Sequence, residues 1–203
     1  MAEASKVSGE KYRRIFSEYD PVLVDGVSSA ALSCNLNFSL RKEQMQALSE
    51  YVQGKDVVVN LPTGYGKSLI YSLCPLVCDN LRNVKPKEER SILLLISPLT
   101  ALMDDQRLSL AQLGLSSLKL TPNLSEADMS RIQSGDIQVI ILSPESFECV
   151  VVERTLQSPK ERIHCVAIGE AHCIEEWLLF TCNKLHNCVK FLDCVFFCVY
   201  FHV

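Results

Sequence analysis

The stretch Val57-Val58-Val59-Asn60-Leu61-Pro62-Thr63-Gly64-Tyr65-Gly66-Lys67-Ser68-Leu69-Ile70-Tyr71 decides the fold. Three consecutive valines, led in by polar Lys55 and Asp56 and closed by Asn60, predict a short strand buried in a sheet. A proline and two glycines then turn the chain, and from Lys67 to about Val77 the apolar spacing predicts a helix. A strand, a glycine turn and a helix in that order make a cradle for phosphate. Glycines let backbone N–H groups turn inward, and the helix N-terminus adds its positive dipole. Lys67 is placed to reach the β and γ phosphates of a nucleotide, and Ser68 to hold Mg²⁺. Pro62, Thr63, Gly64, Tyr65, Gly66, Lys67 and Ser68 are therefore the candidate ligand residues. Leu61 stands where the common G-x-x-x-x-G-K-[ST] pattern has its first glycine. The plainer alternative is a glycine turn that merely precedes a helix.

Upstream, RKEQMQALSEYVQ (41–53) sets Met45, Leu48 and Val52 on one helical face, with Gly54 as a stop. Downstream, a polar connector from Asp79 to Arg90 leads into SILLLI (91–96), a second buried strand. A helix from about Leu99 to Leu113, a short strand at 118–120, a helix capped by Ser125 with Asp128 and a strand at 137–142 follow. Pro144 opens another helix, and IHCVAI (163–168) is a further strand that runs into Gly169-Glu170-Ala171-His172. Strands alternating with helices of this length predict an α/β fold: a parallel sheet with helices on both faces and ligands at the strands' C-terminal ends.

Composition sets the outer limits. At 203 residues, 48% hydrophobic and 22% charged, with eight glycines and eight prolines, the chain suits one globular domain and excludes a disordered, collagenous or coiled-coil protein. Its net charge of −4 gives no global attraction to nucleic acid or acidic lipid, so any nucleic-acid contact is expected to be local. The polar start Met1-Ala2-Glu3-Ala4-Ser5-Lys6 carries no apolar signal segment, so the ten cysteines are expected as free thiols. Cys182, His186, Cys188 and Cys194 can be drawn as a zinc set but lack knuckle spacing, and buried small hydrophobes are the preferred reading.

The motifs around and after the phosphate loop arrive in the order of superfamily 2 helicases and resemble the RecQ family in particular. LRKEQMQAL (40–48) resembles the adenine-recognising segment, LPTGYGKSLIY (61–71) motif I, and SPLTALMDDQ (97–106) motif Ia. SPES (143–146) follows, and GEAHCIEEW (169–177) is similar to the DEAHC-I-x-x-W signature. The resemblance implies a RecA-like P-loop domain over residues 30–177, after an N-terminal extension at 1–29. It implies ATP and Mg²⁺ as cofactors, Gln44 reading the adenine edge with Arg41 nearby, and an aromatic stacking near Phe38. Lys67 and Glu170 become the catalytic pair, with Glu170 orienting and deprotonating the attacking water, and His172 couples the ATP site to the nucleic-acid site. Ser97, Thr100 and Ser143 are implied as contacts to single-stranded or partly duplex DNA through hydroxyls and helix ends. Simple helix capping is the alternative for these three.

Two departures qualify this picture. Family members carry aspartate where this chain has Gly169, and glycine cannot help hold Mg²⁺. Leu178 to Val203 matches nothing in the family and holds six of the fifteen aromatics and four of the ten cysteines, which reads as a divergent tail and a possible surface for a protein partner. Its apolar run, Val195 to Phe201, is too short to span a bilayer, so no membrane association is expected.

The function expected is the ATP-binding lobe of a RecQ-like 3'-5' DNA helicase, located by family resemblance in the nucleus. It is expected to be hydrolysis-impaired, because Gly169 replaces the aspartate and no second lobe follows. The alternative is a non-catalytic, nucleotide-dependent module that binds nucleic acid or protein. A metabolic P-loop kinase is disfavoured by SPLTALMDDQ and EAHCIEEW.

Overall fold

The computed structural model describes residues 2–97, 99–169 and 196–202, the last of these as backbone. In chain order the elements are α1 (Ala2–Ile15), α2 (Pro21–Ser33), α3 (Lys42–Val52), β1 (Val57–Pro62), α4 (Lys67–Arg82), β2 (Ile92–Ile96) and α5 (Thr100–Gln112). They continue as β3 (Ser117–Lys119), α6 (Glu126–Gln133), β4 (Val139–Leu142), α7 (Val150–Gln157), β5 (Ile163–Ile168) and β6 (Phe196–His202). The strands form one parallel six-stranded sheet in the order β1-β6-β5-β2-β4-β3.

β2 shows why the sheet is sandwiched. All five of its side chains are fully buried, as an unbroken Ile-Leu-Leu-Leu-Ile run requires when both faces are covered. Leu93 and Leu95 join Val139, Ile141, Cys165 and Ala167 in a core closed by α2, α3, α4 and α5 through Val27, Leu48, Leu73 and Met103. Ile92, Leu94 and Ile96 point the other way, with Ile140, Leu142, Val166 and Ile168, against Ile132 of α6 and Val152 and Leu156 of α7. The expected parallel sheet with helices on both faces is what forms.

The N-terminal segment belongs to the core. Asp20 caps α2 by accepting from the amides of Val22 (2.8 Å) and Leu23 (3.2 Å), with Pro21 preset at the first helical position. Tyr12 of α1, Phe16 just after it, and Leu23, Val24 and Val27 of α2 are buried, and the Asn80 side-chain amide donates to Gly26 O at 2.9 Å, tying α2 to α4. Residues 1–29, set apart as an extension in the sequence, therefore supply part of the first core.

α4 outruns its sequence boundary near Val77 and reaches Arg82 in spite of Pro75 inside it. Pro75 forfeits one helical hydrogen bond, but Ile70, Leu73, Cys74 and Val77 are all buried along the same helix, and packing outweighs the missing N–H. Asn83 in the left-handed conformation ends it. The Asp79 carboxylate, nine-tenths buried, accepts from the Ser91 amide at 2.8 Å and sets the entry into β2.

β6 is the strand that the local sequence pattern did not place. It pairs with β1 on one side and β5 on the other, with Cys198 level with both Val58 and Ile168. Within the divergent stretch 178–203, Phe196–His202 is an interior strand of the sheet, between β1 and β5. A seven-residue run with four aromatics, without polar alternation, is the composition of a strand covered on both faces. Among the described residues, no helix is long and apolar enough to cross a membrane. The described cysteines, Cys34, Cys74, Cys78, Cys149 and Cys165, are all free, and burial pushes the Cys34 and Cys78 thiols up to about 11. Those two thiols are protonated at neutral pH and pack as small apolar groups.

His164, on β5, lies beside the Arg82 guanidinium, which hydrogen-bonds its Nε2. Burial and the Arg82 charge push its pKa below the ordinary value, against the weaker opposing pull of Asp79 and Glu161. A histidine whose folded pKa is depressed contributes stability that is complete above its unfolded value of about 6.5 and is lost as pH falls below it. The expected result is a melting temperature that drops more steeply between pH 7 and pH 5 for the wild type than for His164→Gln. Parallel curves would contradict it.

Candidate functional site

Because every strand runs the same way, the loops after β1, β2, β4 and β5 emerge at one edge of the sheet. Ile96 is level with Leu142 and with Ile168, so Ser97, Ser143 and Gly169 leave three neighbouring strands at one height. The Ser97 amide donates to Leu142 O at 3.0 Å and the Gly169 amide to Ile96 O at 2.9 Å, which holds that row together. β1 continues from Val58, level with Ile168 through Cys198, to Pro62, about 13 Å farther along. The glycine loop thus stands above the row.

The loop closes at the N-terminus of α4. Gly66 caps the helix with φ +81° and ψ +34°, and the Leu69 amide donates to its carbonyl at 3.2 Å. Lys67 is 3% exposed, and its ammonium donates to Leu61 O at 2.5 Å and Pro62 O at 2.9 Å. The charge is held inside the curve of Pro62, Thr63, Gly64 and Tyr65. Ser68, exposed in the first helical turn, adds a hydroxyl beside amides that have no intrahelical acceptor. A buried ammonium, a helix N-terminus and a serine hydroxyl fit a nucleotide's phosphates with a hydrated Mg²⁺.

Gln44 and Arg41 brace this loop. The Gln44 side chain is 3% exposed; its Nε2 donates to Tyr65 O (3.2 Å) and Gly66 O (3.1 Å), and its Oε1 accepts from the Arg41 amide (2.8 Å). The Arg41 guanidinium lies 4.0 Å from the Tyr65 ring centroid, a cation–π contact. Both amide hydrogens of Gln44, expected to face an adenine edge, are thus engaged with the loop backbone. Phe38 is 52% exposed and lines a cavity of about 530 Å³ that Ser68, Leu69 and Gln106 also line.

The three expected nucleic-acid contacts differ from one another. Thr100 is exposed at the start of α5, and Ser143 precedes a short 3-10 helix (Pro144–Glu148) with its hydroxyl 3.1 Å from that of Ser146. Ser97 is fully buried, and among the described residues its hydroxyl has no partner. Glu170, His172 and the cysteine-histidine set at 182–194 lie outside the described residues. Among the described residues, no group of three or more His, Cys, Asp or Glu is placed to hold a metal ion.

Gln106 closes the SPLTALMDDQ segment and is a polar residue at this edge that the motif alone does not single out. Its position carries a signal: Met103 and Leu110 are buried, and Gln106 shares their helical stripe, where a polar side chain is out of place.

The DEAD/DEAH box helicase family model matches residues 41–198. The chain is 32% identical over 171 residues to the ATP-dependent DNA helicase hus2/rqh1 of Schizosaccharomyces pombe, covering 78% of this chain and 12% of that one. It is likewise 32% identical over 142 residues to the probable ATP-dependent DNA helicase RecS of Bacillus subtilis, covering 68% of this chain and 26% of that one. The chain therefore spans an eighth to a quarter of the length of these relatives. Among solved structures, the DUF1998 helicase MrfA bound to DNA and AMPPNP superposes with a TM-score of 0.67 at 20% identity, over 91% of this chain and 26% of that one. That likeness is one of fold, RecA-like in both.

Proposed function

Because the chain belongs to the DEAD/DEAH box helicase family and its helicase domain is homologous to RecQ-type ATP-dependent DNA helicases, we propose that it is a lobe that binds ATP with Mg²⁺ and contacts DNA, with strongly reduced hydrolysis. The observation that carries this is the strand-loop-helix cradle in which Lys67 is buried behind Gly64 and Gly66. Pro62 to Ser68 wrap the phosphates, Lys67 sets its charge against the β and γ groups, and Ser68 is the hydroxyl for Mg²⁺. Mg²⁺, when bound, neutralises phosphate charge as it develops.

Glu170 would orient and deprotonate the attacking water and His172 would couple the two sites, while Gln44 and Arg41 act first on the loop and through it on the base. Thr100 and Ser143, at one edge of the sheet, present hydroxyls to single-stranded or partly duplex DNA. Separation of strands requires two lobes moving against each other, so unwinding is assigned to the whole protein rather than to this lobe. A nuclear setting, with repair and recombination as the processes served, rests on family resemblance.

Gly169 favours a second reading, a nucleotide-dependent binding module that does not turn over. Among the described residues, a Cβ at Gly169 would meet the flexible end of the Gln106 side chain at 3.1 Å and Ile96 O at 3.7 Å, so a side chain enters there once the Gln106 amide gives way. ATP turnover with single-stranded DNA, measured on the chain and on Gly169→Asp, decides between the readings. Loss of one group that stabilises developing charge costs on the order of 10² in rate, and Gly169→Asp is expected to gain about that much. Equal, measurable rates in the two proteins would overturn the claim of impaired hydrolysis. No gain together with no turnover by either protein would favour the binding module.

A further inference from the structure

Side-chain direction alternates along a parallel strand, so the residues after Ile96 and Ile168, which face α6 and α7, fall on the opposite face. Ser97 and Gly169 therefore lie on the α4–α5 side, at the edge where α4 begins with Lys67 and Ser68. Gln106 reaches the same place from α5: its Nε2 is 3.1 Å from where a Gly169 Cβ would stand, and a half-turn of the side-chain amide exchanges Nε2 for Oε1 at that notch. Two polar atoms here are buried without a hydrogen-bond partner among the described residues, the Ser97 hydroxyl and Gln106 Oε1. Ser97 is 0% exposed. Gln106 also lines the cavity that Ser68 lines. A glycine notch bordered by two unsatisfied polar side chains is costly in a protein interior unless something polar enters it.

We propose that Gln106, assisted by Ser97, takes over in this chain the part of the side chain that Gly169 lacks, presenting a neutral oxygen to the hydrated Mg²⁺ that accompanies nucleotide at Ser68. This rests on the nucleotide reading above. The chemistry suits the ion: Mg²⁺ takes oxygen ligands, keeps several of its waters and is bound through few protein groups when phosphates supply the rest. An amide oxygen accepts from such a water without carrying charge. Its pull on the ion is weaker than a carboxylate's, so the lobe retains a modest dependence on Mg²⁺.

The test is equilibrium binding of a fluorescent ADP analogue with Mg²⁺ and with EDTA, to the wild type, Gln106→Leu, Gln106→Glu and Lys67→Ala. The wild type is expected to bind more tightly with Mg²⁺, and Gln106→Leu to lose most of that increment while its affinity in EDTA stays within about twofold, a difference below 0.5 kcal/mol. Gln106→Glu, of the same shape and now charged, is expected to enlarge the increment about tenfold. It also decides the matter should the leucine variant melt early. An unchanged increment in both variants would overturn the proposal. Binding that is absent, or indifferent to Lys67→Ala, would overturn the nucleotide reading itself and this proposal with it.

Discussion

Gly135→Ala is expected to lower the melting temperature by about 6–12 °C, the equivalent of about 3 kcal/mol in a domain of this size. Gly135 follows α6 with φ +74°, and a Cβ there would lie 1.8 Å from Lys87 O and 2.5 Å from the Lys87 carbonyl carbon. The obstacle is backbone, so no side-chain rotation relieves it. The left-handed conformation costs an alanine roughly 1–2 kcal/mol, and forcing an atom into packed structure adds about 1–3 kcal/mol. The obstructing segment cannot retreat freely. Lys87 is ion-paired to Asp136, and the Arg162 guanidinium donates to Glu88 O at 2.8 Å and to Ile132 O. Gly54→Ala is the control, with φ +80° but nothing within 4 Å of its Cβ, and should lose only about 2–4 °C. Equal losses in the two variants would show that the 86–90 segment yields.

Gly66→Ala should weaken nucleotide binding about 100-fold, equivalent to about 2.7 kcal/mol. Its Cβ would stand 2.6 Å from Gln44 Nε2 at a backbone φ of +81°. The methyl group must expel the amide that holds Tyr65 O and Gly66 O, and the loop loses both hydrogen bonds together with its preset curve. Combining it with Gln44→Ala separates the two causes. Removing the amide relieves the collision but leaves the backbone strain, so the double variant is expected to bind better than the sum of the single losses predicts. Strict additivity would contradict the contact between Gln44 and Gly66.

The parts of this architecture written in local pattern were legible in the sequence. Ile92–Ile96 reads as a strand covered on both faces because it contains nothing that water would accept, and Ser125 with Asp128 reads as a helix start because its hydroxyl accepts the Asp128 amide. What depended on distant partners was less visible. Pro75 is a breaker by local rules, and only the burial of Leu73, Cys74 and Val77 beneath it explains why α4 continues. Tyr12 and Phe16 look like residues of an extension until α2 and α4 meet them. Phe196–His202 looks foreign as a terminus and ordinary as a central strand.

At the site, the loop residues Pro62 to Ser68 were readable from their types and spacing. The use of Gln44 was not, since an amide bonded to Tyr65 and Gly66 carbonyls across more than twenty residues leaves no mark in spacing. The burial of Ser97 was not legible from its motif; it follows from its place after a strand buried on both faces. Gly169 could be read only as a loss. The structure adds what stands beside that loss, the Gln106 amide.

The central claim is that the cradle ending at Lys67 holds a nucleotide, and equilibrium binding of a fluorescent ATP analogue to the intact chain and to Lys67→Ala tests it most directly. Lys67 is buried with its ammonium inside the loop, so its removal is expected to weaken binding by about tenfold or more, at least 1.4 kcal/mol, while leaving the melting temperature of the sheet nearly unchanged. Binding of equal strength by both proteins, or none by a folded wild-type chain, would contradict the account.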